Sequence, residues 1–385
     1  MTGFVPGNRI TLLENGSDYF PALHTAIQAA CSEIFLETYI FENDDTGRMI
    51  SAALAAAAQR GVAVHVLVDG FGARDFPARL MPALVAAGAQ VLVFRPEIAR
   101  FNFRRHRLRR MHRKLAVIDG RIAFVGGINI IDDMHIPRHT PPRYDYAVSV
   151  EGPLLAQIRA AARKLWERVA WANIRHRTYT PNSPLAVLAP CGDMSASFLV
   201  RDNVRHRRDI EDAYLEAIAT ARHEIILANA YFFPGLQFRH ALLEAARRGV
   251  AVTVLLQGRV EYALLHYASQ ALYGALLQGG VRIFEYHRSF LHAKVAVIDN
   301  RWATVGSSNI DPFSLLLARE ANVVVRDTGF ANDLRRRLAA AMEQDAQELR
   351  DADWRRKPWY ARLTNWLAYS LVRMMIGVAG YSGKH

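Results

Sequence analysis

The chain has 385 residues, of which 51% are hydrophobic, so it can form two domains of ordinary size with buried cores and is not a disordered chain. Its formal net charge of +12 indicates an anionic partner, either nucleic acid or the surface of an anionic membrane. The only cysteines are Cys31 and Cys191, without C-x-x-C spacing, so neither a disulfide framework nor a thiolate zinc site is expected.

The first predicted elements alternate between strands and helices. A strand at Ile10 to Leu13 precedes a helix that ends near Cys31, and a buried strand follows at Ile34 to Phe41. An alanine-rich helix from Arg48 to Gln59 stops at Gly61, because glycine adopts the left-handed conformation that ends many helices. The apolar run that begins there, GVAVHVLVDG, is typical of a strand inside a parallel sheet.

Two strips of the sequence share the spacing H-x-K-x4-D. The first reads MHRKLAVIDGRIAFVGGIN and the second LHAKVAVIDNRWATVGSSN, and in each an Asn follows the His by 17 residues. The aliphatic run between Lys and Asp predicts a buried strand that ends in a tight turn. Because side chains alternate along a strand, His112 and Lys114 face one way and Asp119 faces the other, where it holds the turn or a neighbouring backbone group.

Further stretches recur, which indicates an internal duplication with a period near 180 residues. The first half contains QRGVAVHVLVDG and the second half the similar RRGVAVTVLLQG. The first half also contains GAQVLVF and the second half GVRIFEY, and each of these two segments lies just before the strip of its own half. Alternating apolar strands and helices predict a duplicated α/β fold, two sandwich domains with mostly parallel sheets. Ligands of such sheets bind at strand ends, so a site shared between the halves is expected.

The predicted domain boundary is the proline-containing segment TYTPNSPLAVLAP. The division is a first domain at 1–177, a linker at 178–190, a second domain at 191–350 and a C-terminal segment at 351–385. The start of the chain lacks the pattern of a signal peptide, so a cytoplasmic location is expected.

The C-terminal stretch from Trp359 to Tyr381 combines aromatic and apolar residues and follows a basic cluster. Two interpretations remain open: a helix lying in an anionic membrane interface, or a terminal helix packed on the core. Arg373 argues against a full membrane span. The uncharged stretch from Tyr262 to Val281 is predicted to be a soluble helix with one apolar side.

The duplicated His, Lys and Asn residues suggest a site for a phosphodiester. Lysines and the amides of Asn129 and Asn309 would hold the phosphate oxygens. One imidazole can attack phosphorus and form a phosphohistidine, while the other protonates the leaving oxygen and later deprotonates the acceptor. The denser basic approach favours His112 as the nucleophile.

Each imidazole of such a site needs a partner on its far nitrogen. Asp145 and Glu320 follow the two strips at comparable distance and are the candidate orienting carboxylates. The alternative is that they form salt bridges with Arg143 and Arg319.

No further cluster has metal-ligand spacing, so neither a metal nor another cofactor is expected. The rival grouping of Asp132, Asp133 and His135 resembles a solvated loop. The arginine-dense run from Arg100 to Lys114 leads into the first strip, where it is expected to draw anionic headgroups or nucleic acid to the site.

The strips, together with NAYFFPG, ALYGALLQGGVRIFEY and EANVVV, resemble the phospholipase D superfamily and its cardiolipin synthase branch over most of residues 5 to 345. The resemblance implies two phospholipase D-like α/β sandwich domains packed with pseudo-two-fold symmetry around a shared active site. It also implies transfer of a phosphatidyl group from phosphatidylglycerol to a second phosphatidylglycerol or another alcohol, such as glycerol, at the inner bacterial membrane; phosphatidylethanolamine is a further candidate. The family's catalytic motif residues fall on His112, Lys114, Asp119, His292, Lys294 and Asp299.

Two other functions compete with phosphatidyl transfer. The charge of +12 favours a nuclease of the same superfamily, although the aromatic C-terminus has no use in binding DNA. A non-catalytic membrane-binding scaffold is disfavoured because both strips are intact.

Overall fold

The computed structural model describes residues 3–95, 109–134, 140–173, 188–202, 205–260, 262–311, 318–356 and 358–378. The strands and helices of the first half are β1 (Val5–Glu14), α1 (Asn15–Gln28), β2 (Glu33–Thr38), α2 (Asp45–Gln59), β3 (Ala63–Asp69), α3 (Phe76–Arg79), α4 (Met81–Ala86), β4 (Gln90–Phe94), β5 (Leu115–Ile118), β6 (Ile122–Gly126), β7 (Tyr146–Glu151) and α5 (Leu155–Ala172).

The second half repeats this order and then adds further elements. Its strands and helices are β8 (Met194–Arg201), α6 (Asp209–Thr220), β9 (Glu224–Asn229), α7 (Leu236–Arg247), β10 (Ala251–Gln257), α8 (Ala263–Gln278), β11 (Arg282–Tyr286), β12 (Lys294–Ile298), β13 (Trp302–Gly306), β14 (Glu320–Arg326), α9 (Thr328–Asp345), β15 (Ala346–Leu349), α10 (Asp351–Arg355) and α11 (Trp359–Val378).

The predicted early elements are all present, with bounds that differ by a few residues. The helix predicted to stop at Gly61 does so, and that glycine has φ +92°. The predicted linker lies mostly within 174–187, outside the described residues. Most of the arginine-dense run, up to residue 108, lies outside them too.

The described strands form one sheet in the order β15-β11-β10-β9-β12-β13-β14-β8-β1-β7-β6-β5-β2-β3-β4. The halves join where β1 and β8 pair antiparallel. The expectation of mostly parallel sheets is wrong: parallel pairing is confined to β2-β3-β4 and β9-β10-β11. Tight turns, rather than helices, connect β5 to β6 and β12 to β13, so these pairs are antiparallel. The other pairs of the central strands are antiparallel as well.

Helices cover both faces of the sheet and divide the interior into three buried clusters. The central cluster packs Trp166 of α5 and Leu334 of α9 against strand residues of both halves, among them Val148 and Val295. The first half's outer face is covered by α1, α2 and α4, and that of the second half by α6, α7, α8 and α11. The two halves therefore share one core in addition to their own.

Each motif strand enters a two-residue turn with both central residues in the left-handed region. Asp119 and Gly120 have φ +52° and +59°, and Asp299 and Asn300 both have φ +51°. This is the turn geometry that Asp-Gly and Asn-containing pairs favour, because these residues tolerate positive φ. The tight turn predicted from the sequence is confirmed.

The turn aspartates bind backbone of the strand next to their hairpin. Asp119 accepts hydrogen bonds from the N–H groups of Cys31, Ser32 and Glu33 at 2.8, 2.8 and 3.0 Å. Asp299 does the same for Arg222, His223 and Glu224, at 2.8, 2.8 and 3.0 Å. Each carboxylate therefore fastens a motif hairpin to the start of its neighbouring strand, β2 or β9.

We expect Asp119→Ala to lower the free energy of unfolding by about 1–3 kcal/mol, since three backbone donors lose a charged acceptor. Chemical denaturation measures this loss. Asp45→Ala is the control: it removes an exposed pair with Arg48 and should cost about 0.5 kcal/mol or less. Equal stability of Asp119→Ala and the wild type would contradict the assigned role.

The contribution of Asp119 to the free energy of unfolding should also depend on pH. Burial raises the pKa of this carboxyl, but the hydrogen bonds from Glu33, Cys31 and Ser32 outweigh burial and hold the pKa below its usual value. A lowered folded-state pKa stabilises the protein above the unfolded value of about 3.9, and the stabilisation is lost as pH falls through the folded value. The difference between wild type and Asp119→Ala should therefore shrink below about pH 4.

Candidate active site

The strips that carry the two histidines are held by the opposite halves of the chain. The N–H of His112 donates to the carbonyl of Arg319 at 3.0 Å, and the N–H of His292 donates to the carbonyl of Tyr144 at 2.8 Å. In return, Tyr144 N–H donates to Phe290 O at 2.9 Å. These short bridges place each histidine next to a carboxylate from the other half.

The histidine–carboxylate pairs accordingly cross between the halves. His112 Nδ1 lies 3.0 and 3.1 Å from the two carboxylate oxygens of Glu320, and His292 Nδ1 lies 2.6 Å from Asp145 Oδ2. An ionised carboxylate can only accept, so each Nδ1 carries the hydrogen and each Nε2 keeps a lone pair for reaction. The alternative partner Arg143 instead lies with its guanidinium over the Phe290 ring, at 5.3 Å.

Both motif lysines are buried beside their histidines. Lys114 Nζ donates to the carbonyl of His112 at 2.8 Å, and Lys294 Nζ donates to the carbonyl of His292. Lys114 is 2% exposed and Lys294 0%, so neither cation is a solvated surface charge. Two cations held in this way suit an anionic group between the halves.

The electrostatics show that these groups form one cluster. Burial is the largest cause that lowers the pKa of His292, to about 3, and Lys294 and Lys114 add to it, while Asp145 opposes it. Burial likewise lowers the pKa of His112, with Glu320 raising it and both lysines lowering it. The lowered pKa favours the neutral imidazole in the free protein, which is the form that a nucleophile requires.

The lysine and carboxylate of opposite halves also influence each other. Burial lowers the pKa of Lys114 to about 7; Glu320 raises it and Lys294 lowers it further. Burial raises the pKa of Asp145, but Lys294 and His292 together hold it below its usual value. The cluster thus contains one carboxylate, one lysine and one histidine from each half.

The two asparagines of the strips are buried, at 6% exposure for Asn129 and 3% for Asn309. Oδ1 of Asn129 accepts the N–H of Ile40 at 3.1 Å, so its amide NH₂ points away from that bond. This is compatible with the predicted contact to phosphate oxygens.

The two motif aspartates lie outside the cluster. Asp119 and Asp299 follow β5 and β12, seven residues after the histidines, which corresponds to roughly 20 Å along an extended strand. Grouping them with the residues that contact the reacting atoms is therefore incorrect, and the interpretation of a turn-holding carboxylate agrees with their contacts.

Asp133 is also not where the sequence analysis placed it. It is 8% exposed, not solvated, and accepts the N–H of Gly16 at the start of α1. Burial is the main cause that raises its pKa to about 7. His135 lies outside the described residues.

Several residues near the histidines were missed by sequence reasoning. The Tyr39 ring packs edge-on against the His112 ring, with centroids 4.9 Å apart. Ser307 donates to Glu320 Oε2 at 2.5 Å, whereas a side chain at the matching Gly127 would collide with Asp145. The first strip ends in GGIN and the second in GSSN, and this difference could have identified Ser307 as a residue specific to the second half.

The backbone just before each histidine is hydrogen-bonded by a side chain at the end of a parallel strand, β3 or β10. Asp69 Oδ2 accepts the N–H of Met111 at 2.8 Å, and Gln257 Oε1 accepts the N–H of Leu291 at 3.2 Å. Arg113, between His112 and Lys114, makes two hydrogen bonds with Glu37, at 2.8 and 2.6 Å. These contacts fix the backbone on both sides of the histidines.

A duplicated sheet with crossed histidine–carboxylate pairs defines a class of two-histidine phosphodiester-processing proteins. A family model described as cardiolipin synthase, PLD-like domain, matches residues 23–166 and 214–342. The chain therefore belongs to the cardiolipin synthase family with phospholipase D-like domains, a family of phosphatidyltransferases.

Individual relatives agree with this assignment. The chain is 41% identical to cardiolipin synthase B of Escherichia coli strain K12 over 390 residues, covering 98% of this chain and 91% of that one. It is 39% identical to cardiolipin synthase B of Salmonella typhi, covering 100% and 92%, and 29% identical to the major cardiolipin synthase of Bacillus subtilis, covering 86% and 68%.

Solved structures show the same fold at low sequence identity. Phosphatidylserine synthase of Haemophilus influenzae superposes with a TM-score of 0.69 at 13% identity, covering 97% of this chain and 96% of that one. Polyphosphate kinase of Porphyromonas gingivalis gives a TM-score of 0.60 at 16% identity, covering 96% and 53%.

We expect Glu320→Gln and Asp145→Asn each to reduce phosphatidyl transfer by about 10–100-fold, because the amide no longer holds the imidazole in its tautomer and orientation. Product formation from phosphatidylglycerol vesicles measures this. Glu151→Gln, at an exposed ion pair with Arg9, is the control and should keep wild-type turnover. Wild-type turnover in both site variants would exclude the orienting role.

Proposed function

We propose that this chain transfers a phosphatidyl group between two phosphatidylglycerol molecules, forming cardiolipin and releasing glycerol. The observation that carries the proposal is the pair of buried histidines, each hydrogen-bonded to a carboxylate of the other half and flanked by a buried lysine. The family membership supports the choice of phospholipid substrates.

The reaction would proceed in two displacements. One imidazole Nε2 attacks phosphorus, the bond from phosphorus to the headgroup oxygen breaks, and the other imidazole gives a proton from its Nε2 to the leaving glycerol. This second imidazole takes up that proton when the negative phosphate binds beside it, because a nearby anion raises the pKa of a histidine. The second imidazole then takes the proton of the acceptor hydroxyl, whose oxygen attacks phosphorus and releases the first histidine. Lys114 and Lys294 stabilise the negative oxygens throughout.

The direct test incubates the protein with phosphatidylglycerol vesicles in the presence of a chelator. Cardiolipin and glycerol should appear in equal amounts, and His112→Ala or His292→Ala should each reduce them by about 10²–10⁴-fold. His240→Ala, an exposed histidine of α7, is the matched control. Product that needs added metal, or no product, would refute the proposal.

Two additions to this test decide the remaining alternatives. Cleavage of DNA that depends on both histidines, with no cardiolipin formed, would instead establish the nuclease. Quenching during turnover of labelled phosphatidylglycerol and mapping the modified residue identifies the nucleophile, for which His112 is the prediction.

Helix α11 would supply contact with the lipid surface. Its buried side packs on α8 through Ala368, Val372 and Ile376, as the core-packing interpretation predicted. Its other side exposes large apolar and aromatic groups, namely Trp359, Tyr360, Leu363, Trp366, Leu367, Leu371, Met374 and Met375. Among the described helices, none combines the length and apolar character needed to cross a bilayer.

We infer that this exposed face lies in the headgroup region of an anionic membrane. Exposed Arg356 and Arg362 stand at the start of the helix, and the net charge of +12 complements anionic lipid. Aromatic side chains such as Trp359 and Trp366 suit the interface between water and hydrocarbon. A peripheral position on the inner bacterial membrane is part of this proposal.

We expect Leu367→Glu and Met374→Glu each to weaken binding to phosphatidylglycerol vesicles by about tenfold or more, since each removes buried apolar area and adds a like charge. Cosedimentation measures the bound fraction. Val85→Glu, at an exposed apolar position of α4, is the matched control and should bind as the wild type does. Unchanged binding of both α11 variants would rule out this face as the anchor.

A further inference from the structure

The duplicated halves differ at the position that holds the backbone just before each histidine. In the first half this is Asp69, whose Oδ2 accepts from Met111 at 2.8 Å and whose Oδ1 accepts from Phe71 and Gly72 at 2.8 and 3.4 Å. Both carboxylate oxygens are thus occupied. In the second half the matching residue is Gln257, a neutral amide.

Gln257 resembles Asp69 only in its side-chain oxygen, which also accepts a backbone hydrogen bond. Its Oε1 accepts the N–H of Leu291 at 3.2 Å, while its Nε2 has no hydrogen-bond partner among the described residues. The residue is 6% exposed, and a buried donor left without a hydrogen-bond partner is destabilising. This amide N–H is therefore available to a hydrogen-bonding group placed beside it.

The side chain of Gln257 lines a cavity of about 30 Å³. Ala230, on the cavity wall, donates its N–H to the carbonyl of Ala293 at 3.0 Å, so the cavity borders the residues on both sides of His292. Tyr262, on another wall, influences the pKa of Tyr39, whose ring packs on His112. The cavity therefore lies next to residues that hydrogen-bond the backbone on both sides of His292.

A second polar group in this cavity complements the amide. Ser269 of α8 is 8% exposed, and its hydroxyl donates to the carbonyl of Leu265 at 2.8 Å. Because its hydrogen is used there, Ser269 Oγ offers lone pairs to the cavity. Gln257 Nε2 and Ser269 Oγ thus present one donor and one acceptor.

This combination selects the chemistry of the occupant. A hydroxyl both accepts and donates, so it satisfies both groups, whereas a phosphate offers only acceptors and an ammonium only donors. A volume of about 30 Å³ holds a group the size of one or two waters, such as a hydroxymethyl.

We propose that this cavity beside His292 binds a non-reacting hydroxyl of a polyol acceptor, with Gln257 Nε2 donating to the hydroxyl oxygen and Ser269 Oγ accepting its hydrogen. The proposal rests on the phosphatidyl transfer proposed above and names the feature that selects the acceptor. Gln257 and Ser269 are specificity-determining residues that favour glycerol units over simple alcohols and over ethanolamine.

The test is a competition between two acceptors in one reaction. Phosphatidylglycerol vesicles are incubated with the protein and equal concentrations of isotopically labelled glycerol and 1-propanol, and mass spectrometry gives the ratio of labelled phosphatidylglycerol to phosphatidylpropanol. Because both alcohols compete for the same enzyme form, changes in overall rate cancel in this ratio.

The wild type should favour glycerol. Gln257→Glu keeps an oxygen for Leu291 but replaces the donor, and should lower the ratio about tenfold; Ser269→Ala should lower it severalfold. Ser51→Ala, another buried helical serine, on α2, is the matched control and should leave the ratio unchanged.

The outcomes separate the two proposals. A wild-type ratio retained in both Gln257→Glu and Ser269→Ala, with transfer to both alcohols intact, would overturn the acceptor cavity and leave phosphatidyl transfer standing. Neither product from the wild type, under conditions where the protein is folded, would overturn the transfer reaction and the cavity's role together.

Discussion

The site depends on the crossing of the histidine–carboxylate pairs. Glu320 binds the imidazole of His112 and Asp145 binds that of His292, so each half completes the reactive group of the other. Neither half alone therefore orients its own motif histidine. The antiparallel pairing of β1 with β8 and the shared core around α5 and α9 are the features that keep the two halves in register for this exchange.

Burial of the cluster favours reactive imidazoles, but it also brings two lysines close together at an energetic cost. Burial beside two lysines lowers the pKa of each imidazole, which favours the form whose Nε2 is free to act as a base or nucleophile. The carboxylate on Nδ1 offsets part of the charge that develops when the imidazole reacts. The same lysines are unfavourable neighbours for each other until an anion lies between them. We therefore expect the phosphate of the substrate to relieve a repulsion that the fold maintains.

Sequence reasoning recovered the parts of the site that depend on local spacing. The H-x-K-x4-D pattern, with strand alternation and an Asp-Gly turn, was enough to separate His112 and Lys114 from Asp119. It also identified Asp145 and Glu320 as carboxylates near apolar strands. The sequence could not predict which carboxylate binds which histidine, because spacing along the chain associates each carboxylate with the strip that precedes it. The pairing across the halves is instead set by β-bridges between distant segments, such as that between Tyr144 and Leu291.

The same limit explains the errors in the sheet and in the loops. Apolar strand runs look alike in parallel and antiparallel sheets, so the tight turns after the motif strands were the better guide to direction. Asp133 looked solvated because acidic pairs usually are, yet its carboxylate is buried at the start of α1. Such contacts between distant segments carry no periodic signal.

The duplicated halves are most informative where they differ. The histidines, lysines and asparagines of the two strips are the same in both halves, but other equivalent positions differ. Gln257 replaces Asp69, Ser307 replaces Gly127, and Ala293 replaces Arg113. A symmetric pair of histidines can exchange the roles of nucleophile and acid only if the surroundings are equivalent, and these differences remove the equivalence. Among the described residues, Gln257 Nε2 of the second half has no hydrogen-bond partner, whereas both carboxylate oxygens of Asp69 in the first half accept hydrogen bonds. We therefore expect these differences to give donor and acceptor lipids different places in a site built from two similar halves.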